Sequence, residues 1–532
     1  MIGIDGITFS VLDPAFKAGH MPRLKRLLDD EVSGELTSTI PPFTPPGWTS
    51  IFTGVNPGKH GIFGFTRGNT QRTGGLVRLD RVASPAIWNA ANAQGVEIGL
   101  FNVPMTYPPP PVEGWAVSGM LTPEEGGNLP PQFTHPDELA REIVATTDAY
   151  EIDVDVDYER DWRSTDIIDR LSRNLSIKRR ALSYLLEQQG EVGIIFAVLE
   201  APDRLMHVHY KYIDPRYEHF FRPEAEAIRA RAWEFFDEMD EVIGDLLAWA
   251  GPDAFVITMS DHGFQGMDKS VNINLALMDW GLLEVSGLGK VAASGSLRRV
   301  ARRMKQVIPK RAYGRAKAMA RAIDWSRTRA FSAPKPQQGI YINLRGREPN
   351  GVVPKSEYEA VRDEVVERFS SWIDPDDGKP VLDAIYKREE VMKGPEALEA
   401  PDLFPICRNY SFELSDSLYS ASTLTDYRAL PRGFHHMDGV FGISGPGIKA
   451  STNGRASVYD IAPTVLYLAG LELPAMDGRV LSEHIPRHML DKRPVQVVDM
   501  DLPLAGEGID SSPYSAEEEA RIEESLRNLG YL

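Results

Sequence analysis

Apolar runs that lead at once into acidic and histidine residues are the feature that most restricts how this chain folds. Runs of this kind end near residues 4, 199 and 259, and the polar residues that follow them are Asp5, Asp203, His207, Asp261 and His262. Short, wholly apolar runs separated by helical patterns are typical of buried parallel strands. Because open α/β sheets bind ligands at the carboxyl ends of their strands, the pattern predicts a polar site along one edge of such a sheet.

Helical patterns between the runs complete the predicted architecture. Long amphipathic segments at about 165–188 and 224–250 each precede an apolar run. We therefore predict a single α/β domain over 1–532, with a mostly parallel central sheet and helices on both faces. Regions 105–160 and 265–430 are predicted to be insertions that form a cap, and 510–532 to hold a docked C-terminal helix.

Composition narrows the class of protein. Of 532 residues, 42% are hydrophobic and 25% charged, as in an ordinary globular protein. The net charge of −18 argues against specific nucleic-acid binding. The single cysteine, Cys407, fits a reducing compartment, and neither a spanning apolar run nor a leader pattern is visible. We expect a cytoplasmic protein of undetermined oligomeric state, and the short run at 1–4 suggests a native start slightly upstream.

The acid and histidine clusters have spacings that suit metal ions. Asp203 and His207 are four residues apart, so on a helix they share one face and can hold one ion. A helix-surface ion pair is the alternative for this spacing. Asp261 and His262 are adjacent, and Gly263 permits the sharp turn that would let both reach a metal. Another cluster, GFHHMDG at 433–439, precedes the apolar run 440–448.

The segment TPPGWTSIFTG, which begins at Thr44, predicts a helix with its amino end exposed to a ligand. Thr44 precedes a proline, so we predict that it is the N-cap of a helix starting at Pro45. Free N–H groups and the positive dipole end at that point suit a phosphate. The Thr44 hydroxyl is then a candidate nucleophile, and a simple cap is the alternative.

Taken together, these motifs resemble the alkaline phosphatase superfamily, and within it the type I phosphodiesterase and nucleotide pyrophosphatase branch. The similarity is greatest to its group of predicted phosphohydrolases or phosphomutases. The motifs that carry the resemblance are IDG at 4–6, TPPGWTSIFTG at 44–54, NPGKHGIF at 56–63, the Asp203 and His207 pair, SDHG at 260–263, His435, DIAPTVLYLAG at 460–470 and MDGR at 476–479.

The resemblance implies two divalent metal ions. One would be held by Asp203, His207 and His435, and the other by Asp5, Asp261, His262 and the Thr44 oxygen. This mixture of ligands favours zinc, with manganese or iron as alternatives. The neighbours His209 and His436 are the competing histidines, and the family spacing favours His207 and His435.

The resemblance also implies hydrolysis of phosphate esters, most of all diesters or pyrophosphate-type bonds, through a covalent phospho-threonine at Thr44. A phosphomonoesterase or phosphomutase using the same site is one alternative. A non-catalytic protein attached to an anionic membrane is another. Sulfatase activity is disfavoured, because those enzymes need a cysteine or serine in a CxPxR-type motif.

Substrate contacts are expected at Phe65, Asn102, Arg298 and Arg302. Phe65 stands where nucleotide pyrophosphatases carry a phosphate-binding asparagine, so the resemblance is imperfect there. The two arginines belong to the basic segment 290–329, which holds thirteen Lys or Arg residues and one acid, Asp324. A charged face on the acidic body, a lid over an anionic substrate and a contact with anionic lipid are its three interpretations.

Overall fold

In a computed structural model, the chain folds into two compact units. Residues 1–62, 77–266 and 431–530 make the first unit, and 63–76, 267–430 and 531–532 make the second. The structure describes residues 1–29, 32–124, 129–154, 156, 161–189, 192–220, 223–286, 322–418, 420–449, 451–509, 514–528 and 531.

The strands and helices have the following bounds. The strands are β1 Ile2–Ile4, β2 Val32–Thr37, β3 Thr66–Gly68, β4 Thr73–Leu76, β5 Ile98–Val103, β6 Gly114–Ser118, β7 Thr134–His135, β8 Ile194–Leu199, β9 Val256–Met259, β10 Gly263–Gly266, β11 Lys269–Asn272, β12 Ala330–Ser332, β13 Ile340–Ile342, β14 Leu382–Lys387, β15 Leu403–Cys407, β16 Phe412–Ser415, β17 Leu424–Asp426, β18 Gly433–His436, β19 Asp438–Ser444 and β20 Ser451–Ser457. The α-helices are Phe9–Ala18, Pro22–Asp29, Thr44–Thr53, Pro57–His60, Ile87–Asn92, Glu138–Thr147, Asp166–Gln188, Ala201–Ile213, Pro223–Ala250, Ile273–Asp279, Tyr358–Ser370, Arg388–Val391, Ile461–Leu468, Arg487–Lys492 and Ala516–Asn528.

A nine-stranded sheet forms the centre of the first unit, in the order β20-β2-β19-β9-β1-β8-β5-β6-β7. The five strands from β9 to β6 run parallel to one another, whereas β19 and β7 run against their neighbours. Every residue of β5, β8 and β9 is buried, so both faces of the sheet are covered, as parallel sheets require. The predicted α/β class with a mostly parallel sheet is confirmed.

Strand direction brings the predicted polar clusters to one edge of this sheet. The carboxyl ends of β1, β8 and β9 lie side by side there, because β1 pairs in parallel with both β8 and β9. Strand β19 is antiparallel to β9, so its amino end reaches the same edge. The preceding strand β18 pairs with β10, which places His435 opposite Phe264. Sequence segments far apart in the chain therefore meet at one place.

Two predictions about the first unit are wrong in part. The region 105–160 is not only a cap, because Gly114–Ser118 and Thr134–His135 are strands β6 and β7 of the central sheet. Prolines and glycines around these short strands hid them in the sequence. The Asn, Pro and Gly residues of NPGKHG at 56–61 predict a turn, but the segment holds the short helix Pro57–His60, which the Asn56 side chain caps by accepting from the Gly58 N–H at 2.9 Å.

The second unit has its own sheets and core. A four-stranded antiparallel sheet, β12-β13-β15-β14, and a three-stranded sheet, β16-β11-β17, enclose buried residues such as Phe331, Tyr341 and Phe369. In the described part of the chain, no helix is long and apolar enough to cross a membrane. Most of the basic segment, including Arg298 and Arg302, lies outside the described residues, so its predicted roles stay predictions.

Candidate active site

The residues predicted to bind metal are all buried at the carboxyl edge of the central sheet. Asp5 follows β1, and its N–H donates to the Leu199 carbonyl at the end of β8. Asp203 and His207 lie on the first two turns of the helix Ala201–Ile213. The relative exposure is at most 5% for each of Asp5, Thr44, Asp203, His207, Asp261, His262 and His435. Seven polar side chains with this degree of burial need compensating partners.

In Asp5, Asp203 and Asp261, one carboxylate oxygen accepts a hydrogen bond from a protein donor, and the other oxygen faces the cluster. Trp48 Nε1 donates to Asp5 Oδ2 at 3.1 Å, and the Gly6 N–H donates to Asp261 Oδ1 at 3.3 Å. Arg204 Nη1 donates to Asp203 Oδ2 at 2.6 Å. Among the described residues, Asp5 Oδ1 and Asp261 Oδ2 have no hydrogen-bond partner, although they are fully buried. Two such oxygens side by side fit a bound cation.

The histidine tautomers are fixed by backbone carbonyl groups. His435 Nδ1 lies 2.9 Å from the Pro42 oxygen, and His262 Nδ1 lies 3.2 Å from the Gly263 oxygen. A ring nitrogen facing a carbonyl must carry the proton, so the Nε2 atom of each ring presents a lone pair to the cluster. This arrangement, with the far nitrogen tied to a backbone carbonyl, is typical of histidines that bind metals.

Asp203, His207 and His435, the predicted ligands of one ion, lie together and are called the first ligand group here. His207 Nε2 and His435 Nε2 are 2.9 Å apart, and Asp203 Oδ1 is 3.4 Å from the former and 3.2 Å from the latter. Ligands about 2.0 Å from a tetrahedral zinc ion are separated by roughly 3.3 Å. The three atoms therefore have the mutual spacing of ligands around one ion.

Asp5, Asp261 and His262, which are predicted to bind the other ion, also lie together and are called the second ligand group. His262 Nε2 lies 3.2 Å from Asp261 Oδ2 and 3.6 Å from Asp5 Oδ1. The two groups are contiguous, because the His262 and His435 rings stack with centroids 3.7 Å apart. His262 also lies within reach of Asp203 and His435, a proximity that the sequence prediction did not include.

Burial and mutual repulsion set the charges of the cluster. Burial raises the pKa of Asp5, and the nearby Asp203 charge raises it further. The pKa of Asp261 is raised by burial and by Asp5 and Asp203. Burial opposes the charge of Asp203 too, but His207, His435 and Arg204 hold its pKa well below the usual value. Burial lowers the pKa of His435 to about 4, so the ring stays neutral and able to bind a metal.

Thr44 lies beside the second ligand group. Its Oγ1 is 3.3 Å from His262 Nε2, and the residue is fully buried. The prediction that it is an N-cap is wrong: Phe43 is the N-cap, Thr44 is the first helical residue, and the first turn closes with Gly47 N–H donating to the Phe43 oxygen at 2.8 Å. Prolines are tolerated in a first turn, where their missing N–H groups cost no helical bond.

Close packing holds the Thr44 helix against the strand ends. A Cβ on Gly47 would lie 3.0 Å from Asp261 Cβ, and a Cβ on Gly3 would lie 2.5 Å from the Trp48 ring. The absence of side chains at Gly3 and Gly47 therefore lets the helix approach β1 and Asp261 closely. This approach also places the Trp48 indole N–H on Asp5.

The remaining predicted residues have other surroundings. His436 Nδ1 lies 3.6 Å from Asp438 Oδ2, and the buried His209 ring stacks on Tyr212. Asn102 is committed to a buried network in which its amide donates to the Val198 oxygen at 3.0 Å and its Oδ1 accepts from Lys178. Phe65 packs in the second unit with its ring 4.8 Å from that of Tyr531. The predicted contact of Asn102 and Phe65 with substrate stays a prediction.

Sequence reasoning missed the donors that orient the carboxylates, namely Trp48, Arg204 and the Gly6 N–H. Trp48 lies one helical turn after Thr44, and Arg204 directly follows Asp203. Their position next to predicted site residues was the only signal available, since their contacts depend on how distant segments pack.

Comparison with known proteins gives one family and several structures. The family model for type I phosphodiesterase / nucleotide pyrophosphatase matches residues 1–409. No curated protein matches the chain. Phosphonoacetate hydrolase from Sinorhizobium meliloti 1021, in complex with phosphonoformate, has a TM-score of 0.56 and 17% identity over 88% of this chain and 95% of that one. Its complex with phosphonoacetate has a TM-score of 0.54 and 16% identity over the same shares.

Murine ectonucleotide pyrophosphatase / phosphodiesterase 5 is also similar in outline, with a TM-score of 0.46 and 12% identity over 90% of this chain and 96% of that one. At these identities, the likeness to the phosphonoacetate hydrolase shows a shared fold.

Proposed function

The chain belongs to the type I phosphodiesterase / nucleotide pyrophosphatase family of phosphate-ester hydrolases, and we propose that it works with two divalent metal ions and with Thr44 as its nucleophile. The observation that carries this proposal is the position of Thr44 Oγ1. This atom lies 3.3 Å from His262 Nε2, among buried aspartate and histidine side chains. A hydroxyl that served only to cap a helix would bind backbone N–H groups instead.

The ligand set supports metal binding by its chemistry and spacing. Asp203, His207 and His435 would hold one ion, and Asp5, Asp261, His262 and the Thr44 oxygen the other. Imidazole nitrogen mixed with carboxylate oxygen suits zinc, with manganese or iron as the alternatives. When bound, such a pair of ions would lower the pKa of the attacking hydroxyl and stabilise the negative charge on the phosphoryl oxygens.

The protein's own groups account for the course of the reaction. Thr44 Oγ1 bonds to phosphorus while the bond from phosphorus to the leaving oxygen breaks on the opposite side, and the proton that Thr44 loses ends on the leaving oxygen. A water oxygen then bonds to phosphorus, and the bond to Thr44 Oγ1 breaks, which releases the product and restores the hydroxyl. The helix Thr44–Thr53 holds Thr44 at the reacting position, because Gly3 and Gly47 let it pack tightly on β1 and Asp261.

Phosphodiesters or pyrophosphate-type bonds are the proposed substrates, in keeping with the family. A screen of the metal-loaded protein against bis-p-nitrophenyl phosphate, p-nitrophenyl phosphate, dinucleotides and phosphonoacetate tests this proposal. The expected result is a higher kcat/KM for the diesters. Preference for p-nitrophenyl phosphate would favour a monoesterase or mutase, and preference for phosphonoacetate would favour cleavage of a carbon–phosphorus bond.

Contaminating phosphatases are the main source of error in such a screen. Asp261→Ala protein, purified in parallel by the same steps, is the control, since it keeps Thr44 but lacks a predicted ligand of the second group. Equal rates for the two preparations would mean that the measured activity does not come from this site.

A further inference from the structure

Arg204 is a buried arginine that lies next to a predicted metal ligand. Its relative exposure is 0%, and its side chain lies between the carboxylates of Asp203 and Asp153. Such burial is costly for a guanidinium unless its donors are paired with acceptors. Its Nε, Nη1 and Nη2 atoms all donate to these two carboxylates. Its position therefore calls for a role inside the protein.

Arg204 determines which oxygen of Asp203 faces the histidines. Arg204 Nη1 donates to Asp203 Oδ2 at 2.6 Å, whereas Asp203 Oδ1 faces His207 Nε2 and His435 Nε2. The other two carboxylates are arranged in the same way. Asp5 Oδ2 accepts from Trp48 Nε1, and Asp261 Oδ1 accepts from the Gly6 N–H. Donors that orient ligating carboxylates in this way tune metal affinity.

Asp153 holds the guanidinium in place from the other side. Its Oδ1 accepts from Arg204 Nε at 3.1 Å and its Oδ2 from Arg204 Nη2 at 2.6 Å, which leaves Nη1 for Asp203. This two-bond geometry fixes the plane of the guanidinium, which a single bond would not do.

The segment that carries Asp153 is itself fixed by the helix Asp166–Gln188. Lys178 Nζ donates to the Ile152 oxygen at 2.6 Å, and Asn174 Nδ2 donates to the Glu151 oxygen at 3.0 Å. Hydrogen bonds from this helix therefore hold the two residues that precede Asp153, and Asp153 in turn holds Arg204 against the Asp203 carboxylate.

From these contacts we propose that Arg204 and Asp153 form a positioning pair that fixes Asp203 for metal binding at the first ligand group. The inference rests on the proposed function in one respect, namely that Asp203 binds a metal ion. It goes further by assigning a role to two residues outside both ligand groups. Lysine cannot replace Arg204, because one ammonium lacks the planar fork that engages Asp153 and Asp203 together.

Metal titration of the full-length chain tests this inference without reference to catalysis. Metal-free protein is titrated with Zn²⁺ in competition with a chromogenic chelator, and the titration is repeated with Co²⁺ to record its absorption spectrum. We expect Arg204→Lys, Arg204→Met and Asp153→Ala each to weaken one of two sites by about 10- to 100-fold. The other site should keep its affinity.

Two further variants identify the affected site and control for loss of an arginine. In a His435→Ala background, which lacks a ligand of the first group, Arg204→Lys should cause no further loss. Arg179→Met is the matched control, because Arg179 also pairs with two acids, Asp245 and Glu241, neither of which is a predicted ligand. It should leave both affinities unchanged.

The outcomes are distinguishable. If the wild-type chain binds two ions and folded Arg204→Lys and Asp153→Ala proteins bind both with wild-type affinity, the positioning role is refuted while the proposed function stands. If the wild-type chain binds no metal, the proposed function fails, and this inference fails with it. Should Arg204→Met not fold, Asp153→Asn decides the matter, since its partly exposed side chain tolerates an amide, which loses the charge and one of the two hydrogen bonds to Arg204.

Discussion

The hydroxyl oxygen of Thr44 lies 3.3 Å from Nε2 of His262, although 218 positions separate the two residues in the chain. Thr44 reaches this place on the first turn of a helix, and His262 reaches it just after β9. The His262 Nδ1 proton is directed to the Gly263 oxygen, so the lone pair of Nε2 faces Thr44. This relationship joins the candidate nucleophile to the candidate metal site.

Metal content follows from the two ligand groups. Protein reconstituted with zinc or manganese should contain about two ions per chain by elemental analysis, since the first and second ligand groups are adjacent. His435→Ala should retain about one ion, because the second ligand group is left intact. A wild-type content below one ion per chain after reconstitution would contradict the two-metal site.

Replacing Trp48 by Phe should weaken only the second ligand group. Phenylalanine keeps an aromatic ring at this position but removes the Nε1–H donor to Asp5 Oδ2, together with the outer ring atoms that lie against Gly3. We expect metal affinity at that group to fall by roughly 10-fold in a titration. Trp88→Phe is the control, since Trp88 Nε1 donates to the Ala505 oxygen instead, and it should cost only ~1 kcal/mol of stability. Equal metal binding in wild-type and Trp48→Phe protein would refute the orienting role.

A methyl group at Gly47 should separate the Thr44 helix from Asp261. Its Cβ would lie 3.0 Å from Asp261 Cβ and 3.2 Å from the Asp261 oxygen, so the helix has to move outward. We expect turnover to fall by about 10- to 100-fold, since small displacements of a reacting group are costly. Gly244→Ala is the control, because its Cβ would meet the side chain of Arg23, which is partly exposed and can move aside. Unchanged turnover in Gly47→Ala would show that close approach is not required.

His60 should make stability depend on pH. Its Nδ1 accepts from the Ile62 N–H at 3.1 Å, so Nε2 carries the proton and donates to Ser50 Oγ at 3.0 Å. Burial lowers the pKa of His60 from 6.5 to about 3. Below pH 6.5 the unfolded chain therefore takes up a proton that the folded protein does not, and stability falls as the pH falls towards 3.

Denaturant unfolding of wild-type and His60→Gln protein between neutral and acidic pH measures this effect. One such group contributes a slope of about 1.4 kcal/mol per pH unit. Because the other buried histidines are common to both proteins, the difference in slope reports His60 alone. Parallel pH profiles for the two proteins would contradict the prediction.

Much of the fold, and the position of the candidate ligands at one edge of the sheet, could be predicted, because local sequence determines both. Wholly apolar strands such as Ile194–Leu199 are recognisable without a partner, and the polar residues after them must lie at the sheet edge. Strands β6 and β7 were missed, since short strands beside prolines have little pattern of their own. The N-cap prediction at Thr44 failed because a residue before proline is disfavoured in a helix rather than excluded.

The surroundings of the ligands could not be predicted, because they depend on contacts between distant segments. Trp48 reaches Asp5 only because Gly3 leaves room for its ring, and Arg204 reaches Asp153 across an insertion without clear periodicity. Neither contact has a spacing in the sequence that would reveal it.

The most direct test of the account is the turnover of Thr44→Ala and Thr44→Ser on bis-p-nitrophenyl phosphate, with each protein loaded with metal. If Thr44 Oγ1 is the nucleophile, Thr44→Ala should lose several orders of magnitude in kcat, whereas Thr44→Ser should retain substantial activity and form a phosphorylated serine detectable by mass spectrometry after acid quench. Full activity in Thr44→Ala would contradict the covalent mechanism.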